Sequence, residues 1–76
     1  MSYNGWKNHA TWNTYNWLSG YEDSYHAACR VTKGGSIKAA SQALKMHCIE
    51  IWGMSNPDGD SLAKVDWEHI AEAFRE

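Results

Sequence analysis

The chain has 76 residues, which suits one domain near the lower limit of independent folding; such a domain buries only about 60% of the surface that its unfolded chain exposes. Five Trp, four Tyr and one Phe offer large apolar side chains for a small core. The net charge of −2 is too small to indicate a polyanionic partner or a highly acidic DNA mimic.

Glycine-containing breaks divide the chain into segments with helical periodicity, so we predict an all-α fold, a compact bundle of three to four short helices in one domain over residues 1–76. The first predicted helix covers residues 8–19, with Asn8 as its N-cap and Gly20 after its end. At 100° per residue, a broad apolar side leaves only a narrow polar stripe. That stripe consists of His9, Asn13, Asn16 and Ser19.

The second predicted helix covers residues 23–33, is capped by Asp23 or Ser24, and stops at Gly34-Gly35. Its spacing predicts that one side of the helix carries Tyr21, Tyr25, Ala28, Cys29 and Thr32.

The third predicted helix covers residues 36–52, with Ser36 as its N-cap and Gly53 as its end. Its main apolar stripe comprises Ile37, Ala40, Leu44, Cys48 and Ile51. Met46 and Ile49 project away from that stripe and form a second apolar strip beside Trp52. This strip either packs on another element or is a partner-binding surface, which would also suit a homodimer.

The fourth predicted helix, residues 66–75, is capped by Asp66 and buries Trp67, Ile70, Ala71 and Phe74. In the segment before it, Asn56, Asp58 and Asp60 place oxygen atoms at alternate positions, as at the start of a calcium loop. Gly59 is misplaced for such a loop and the late bidentate Glu is absent. We therefore predict a plain turn.

The two cysteines give no disulfide framework, so we expect reduced, mostly buried thiols. His26 with Cys29, and His47 with Cys48, could together supply nitrogen and sulfur ligands, but no CxxC or HxxxH spacing supports a metal site. We expect no metal, no cofactor and no catalytic residue, because cysteine–histidine combinations arise by chance and so small a helical domain has little room for a concave pocket.

Positive charge is concentrated in the first part of the chain: residues 1–49 hold five basic against two acidic side chains, and residues 50–76 hold two against seven. Arg30, Lys33, Lys38 and Lys45 flank the Gly34-Gly35 junction, where they could contact phosphates. Apart from Gln42, the third helix lacks side chains suited to base edges. Weak nucleic-acid binding is therefore the alternative hypothesis.

The first 12 residues are polar and lack the charged and apolar regions of a signal peptide, and no apolar run approaches the roughly 20 residues of a membrane span. We expect a cytoplasmic protein without membrane contact.

Two sequence stretches carry a resemblance: Tyr3-Asn4-Gly5-Trp6-Lys7-Asn8 followed by Thr11-Trp12-Asn13, and Val65-Asp66-Trp67-Glu68-His69-Ile70-Ala71-Glu72. The chain resembles a family of small uncharacterised phage and mobile-element proteins. These share an Asn-Gly-Trp-x-Asn-x-x-Thr-Trp-Asn opening and a late Trp-x-x-Ile-Ala helix. The match covers about a third of the chain, and the family supplies no activity, cofactor or catalytic residue to carry over.

The resemblance implies an accessory protein that acts by binding, and we expect an inhibitor of a host defence complex, of the restriction or CRISPR type, or of a regulatory complex. In the N-terminal motif, Gly5 allows a turn, Trp6 packs beneath the first helix and Asn8 caps it. Alternatively, Asn4, Lys7 and Asn13 form a binding edge.

Overall fold

A computed structural model describes residues 5–75 and contains four α-helices with one 3₁₀ helix. The helices are α1 (His9–Ser19), α2 (Glu22–Val31), α3 (Ile37–Trp52), the 3₁₀ helix Leu62–Lys64 and α4 (Trp67–Arg75). Within residues 5–75 there is no strand. An isolated antiparallel bridge joins Ser55 to Ser61. The predicted all-helical bundle is confirmed.

Three of the predicted helix starts are also confirmed, because each has the side-chain acceptor that its first turn needs. Asn8 accepts a hydrogen bond from the Thr11 backbone N–H at 2.9 Å, and Ser36 accepts one from the Ala39 N–H at 3.1 Å. At the start of α4, the Asp66 carboxylate accepts from the N–H of His69 at 3.2 Å.

The predicted start of α2 is wrong by one residue, and both suggested caps lie inside the helix. Tyr21 occupies the N-cap position and makes no side-chain capping bond. Glu22 and Asp23 instead place negative charge in the first turn, where the helix dipole favours it. The helix ends at Val31, two residues before the predicted end at Lys33.

The packing places α4 along α3, with α1 and α2 beside each other and both in contact with α4. The 3₁₀ helix packs against α1. Every helix contributes to one core, whose largest fully buried apolar side chains are Leu18, Leu44, Leu62 and Ile70. Trp67 is also buried, and its indole N–H donates to the Leu62 carbonyl at 3.1 Å, so the polar atom of this large side chain is satisfied.

Three side chains on the stripes predicted for α2 and α3 are exposed. Ile51 is 48% exposed, Tyr21 58% and Tyr25 43%. At 1.5 Å per residue, α4 spans about 13.5 Å and α3 about 24 Å, so α4 cannot cover all of α3. The two tyrosines lie at the start of α2, where an aromatic body with a polar tip tolerates the boundary with water.

Candidate binding site

The segment between α3 and the 3₁₀ helix forms a tight loop around the buried side chain of Asn56. The side-chain oxygen of Asn56, Oδ1, accepts from the backbone N–H groups of Asp58 and Asp60, both at 3.0 Å. Its amide donates to the hydroxyl of Thr14 and to the carboxylate of Asp60, both at 3.2 Å. Gly59 adopts a positive φ of 91°, which glycine accommodates best. This geometry confirms the predicted turn.

Further hydrogen bonds attach this loop to α1. The Asn13 amide donates to Asp58 at 2.8 Å and to Asp60 at 2.9 Å. The indole N–H of Trp17 donates to Asp58 at 3.0 Å, and His9 lies 3.2 Å from the second carboxylate oxygen of Asp60. Residues of the polar stripe predicted on α1 therefore bind the loop.

These hydrogen bonds favour the charged form of both carboxylates. The pKa of Asp58 is lowered by hydrogen bonds from Asn13 and then from Trp17. The pKa of Asp60 is lowered chiefly by the bond from Asn13, with burial opposing the shift. Both groups therefore carry full negative charge at neutral pH.

A shallow depression lies where the loop meets the C-terminal end of α1. It is lined by Asn13, Asn16, Trp17, Gly20, Tyr21 and Asp58, with a volume of about 380 Å³. The rings of Trp17 and Tyr21 are nearly parallel at 17°, with centroids 5.7 Å apart. We call this feature the Trp17–Asp58 depression.

A second shallow depression, of about 360 Å³, lies beside the start of α4. Two basic residues, Lys7 and Lys45, line it together with two acidic ones, Asp66 and Glu68. Because both signs of charge are present, its electrostatics do not select one class of charged ligand.

The predicted strip on α3 does not remain one exposed surface. Met46 is 62% exposed, whereas Ile49 and Trp52 are partly buried against the core. Two more large apolar side chains are exposed near the C-terminal end of α3. Ile51 lies in its last turn and Met54, which is 69% exposed, follows the helix. We call Met46, Ile51 and Met54 the α3 apolar group.

The predicted N-terminal binding edge, made of Asn4, Lys7 and Asn13, does not form one exposed surface either. Asn4 lies outside the described residues, and Lys7 is exposed at the second depression. Asn13 is only 9% exposed and binds the loop, so its amide is committed within the domain.

Three of the four predicted phosphate-binding residues lie close together in the chain around the α2–α3 junction. Arg30, Lys33 and Lys38 are exposed there. Lys45 lies two turns further along α3, where it shares the second depression with Asp66 and Glu68. A phosphate near Lys45 would therefore meet two carboxylates.

Both cysteines are free thiols, as expected. Cys48 is fully buried in the core, and burial raises the pKa of its thiol to about 12. Cys29 is half-buried on α2. Within residues 5–75, neither cysteine belongs to a group of three or more side chains able to hold a metal ion, and the same is true of His26 and His47.

Residues of the two sequence stretches that carry the family resemblance contact each other. Asn8 donates to the Lys64 carbonyl at 3.0 Å, just before the second stretch, and the Thr11 hydroxyl accepts from the Asp66 N–H at 2.9 Å. The ring of Trp6 packs against that of His69, with centroids 4.2 Å apart and planes tilted by 36°. These motif residues join the start of α1 to the start of α4.

Sequence reasoning missed the Trp17–Asp58 depression. Helical spacing gave no signal for it, because α1 ends between Trp17 and Tyr21, and Tyr21 is the N-cap of α2. The position of Asp58, 41 residues after Trp17, depends on how the loop docks.

Comparison with protein-family models, with curated proteins and with solved structures finds no match to this chain. None of the helices described between residues 5 and 75 is long and apolar enough to cross a membrane.

Proposed function

We propose that this chain is a protein-binding module: a phage-type accessory protein that acts in the host cytoplasm by binding, and thereby inhibiting, a host defence or regulatory complex. The observation that carries the proposal is the exposure of five large apolar or aromatic side chains in a domain with a small core. They are Tyr21, Tyr25, Met46, Ile51 and Met54.

The α3 apolar group supplies the first contact residues that we assign, each chosen by its own exposure. Its three side chains lie within nine residues of the chain and are between 48% and 69% exposed. Two of them are methionines, whose flexible, polarisable side chains adapt to irregular apolar surfaces. A domain that buries only about 60% of its unfolded surface has little apolar area to spare from its core. The exposure of two methionines here therefore favours a role in contacting a partner rather than in the core.

The family resemblance supports an accessory role but not the N-terminal binding edge. Asn8, Thr11 and Asn13 make hydrogen bonds within the domain, so these motif residues have a structural use. The contact surface that we propose lies outside the motif, on α3.

The burial of Cys48 argues against its use as a nucleophile. A nucleophilic cysteine needs a thiolate at working pH, and a thiol with a pKa of about 12, as Cys48 has, is almost entirely protonated at neutral pH. We propose a role in binding that needs no cofactor.

The test is an affinity pull-down of the tagged chain from lysate of its natural host, with nuclease treatment and a salt series. The wild-type chain should retain one protein in a near 1:1 ratio. A double variant, Met46→Lys with Met54→Lys, should retain at least tenfold less. The matched control, Met46→Leu with Met54→Leu, keeps the apolar character and should retain the partner. Equal retention by the lysine and leucine variants would remove the α3 apolar group from the proposal.

Weak nucleic-acid binding is the second candidate, favoured by the exposure of Arg30, Lys33 and Lys38 around one junction. It predicts retention of nucleic acid that disappears after nuclease treatment or at moderate salt, because phosphate contacts release counterions. Charge reversal at Lys33 and Lys38 should then abolish retention. Such a result, with no stoichiometric protein partner, would replace the first proposal.

A further inference from the structure

The Trp17–Asp58 depression has features that select a ligand. Its volume of about 380 Å³ is at the small end of ligand pockets and suits one side chain rather than a large molecule. It is open to solvent and separate from the α3 apolar group in the chain, since it is formed by the end of α1, the start of α2 and the loop.

The aromatic wall of the depression is held in place. The indole N–H of Trp17 donates to Asp58 at 3.0 Å, which fixes the orientation of its ring. Tyr21 stacks on that ring and is itself 58% exposed. The wall therefore offers an exposed tyrosine ring backed by an indole whose orientation is set before any ligand arrives, which lowers the entropy cost of binding.

The charge of the depression has one sign. Asp58 is the only Asp, Glu, Lys, Arg or His among its lining residues, and hydrogen bonds from Asn13 and Trp17 favour its ionised form. Both of these bonds end on one carboxylate oxygen, Oδ2. Among residues 5–75, no hydrogen-bond donor engages Oδ1, so this oxygen remains available to a ligand. Glu22 and Asp23, exposed directly after Tyr21 in the chain, add further negative charge nearby.

This combination matches a planar cation. An anion would be repelled by Asp58, and a purely apolar group would remove water from Oδ1 of Asp58 without replacing its hydrogen bonds. A guanidinium group stacks on an aromatic face and donates to a carboxylate at the same time, whereas an ammonium group lacks the flat surface for stacking.

We propose that the Trp17–Asp58 depression binds an arginine side chain presented by a basic segment of the partner protein. The inference rests on the proposed protein-binding function but uses a second surface. A guanidinium held against the aromatic wall formed by Trp17 and Tyr21 donates to Oδ1 of Asp58, so the site recognises one side chain by its flat face and by its charge.

The probe is Nα-acetyl-arginine methylamide, titrated into the ¹⁵N-labelled chain and followed by heteronuclear NMR. The indole N–H signal of Trp17, identified by its loss in Trp17→Phe, should shift together with backbone signals around residues 17–21 and 58. A single side chain should bind with a Kd on the order of millimolar. The citrulline analogue, which has a similar shape but no charge, should bind at least tenfold more weakly, and the lysine analogue more weakly than arginine.

Two variants locate the binding. Tyr21→Ser should weaken binding at least fivefold because the exposed aromatic face is lost. Tyr25→Ser is the matched control, a tyrosine that is 43% exposed and does not line the depression, and it should leave binding unchanged. Asp58→Asn keeps the shape of the side chain and removes its charge, and it should reduce binding to that of the citrulline analogue.

Equal shifts with arginine and citrulline, or shifts elsewhere on the surface, would overturn the arginine site. If a host protein is captured through the α3 apolar group while the arginine titration fails, the depression proposal alone is wrong. If the titration succeeds while no protein partner is captured, the arginine site stands and the protein-binding function is wrong.

Discussion

Asn56 should be the most sensitive polar residue of the described domain. Its side chain is 4% exposed and makes four hydrogen bonds: two to the backbone of its own loop, one to Thr14 and one to Asp60. Asn56→Ala removes all four and leaves the fully buried hydroxyl of Thr14 without this donor. At about 1 kcal/mol net for each bond, less the rehydration of groups near the loop surface, we expect a loss of about 3 kcal/mol.

Such a loss is large for this chain. A domain of this size is stable by roughly 4 to 11 kcal/mol, so the variant should remain folded but clearly weakened. A loss of about 3 kcal/mol should lower the melting temperature by more than about 10 °C. Urea unfolding followed by tryptophan fluorescence measures the free energy directly.

Asn16→Ala is the matched control for this experiment. Asn16 is an exposed asparagine on α1, and within residues 5–75 its side chain makes no hydrogen bond. Its replacement should change the free energy of unfolding by less than about 0.5 kcal/mol. A loss below about 1 kcal/mol for Asn56→Ala would refute the view that this side chain holds the loop on α1.

Three further expectations follow from the same contacts. Because the pKa values of Asp58 and Asp60 are lowered in the folded chain, their stabilisation is complete above the unfolded value of about 3.9 and is lost as pH falls through the folded values. Urea unfolding at pH 5 and pH 3 should show this loss, and Asn13→Ala should reduce it. Leu44→Ala should cost about 2 to 5 kcal/mol, because Leu44 is fully buried; a loss below about 1 kcal/mol in urea unfolding would contradict this. Peptide mapping after iodoacetamide treatment should find Cys48 unmodified in the folded chain and modified in urea, since the thiol is buried and protonated; modification without urea would refute it.

Local signals in the sequence located the helices well. Asn8, Ser36 and Asp66 are short polar side chains placed directly before helical segments, and each accepts a backbone N–H three residues later. The start of α2 was predicted less well because two acidic residues and a serine follow one another there. Any of them suits an N-cap, but the chain uses Tyr21.

Helical periodicity identifies a face but not what covers it. Ile51 continues the spacing of Leu44 and Cys48, yet it is exposed. The shorter α4 cannot cover the whole length of α3. Ile49 lies off the main stripe and is still packed against the core. The exposed residues from which we argue binding depend on these helix lengths and packing positions.

By itself, the sequence determined the helical class, the main helix boundaries and the turn at residues 56–60, because caps, apolar spacing and glycine act over a few residues. Only the tertiary structure decided that this turn docks on the polar stripe of α1. Asn13 and Trp17 reach Asp58 across more than 40 residues of chain. No local pattern encodes that pairing, since it requires α1 and the loop to be positioned by the shared core first. The Trp17–Asp58 depression is therefore a product of packing.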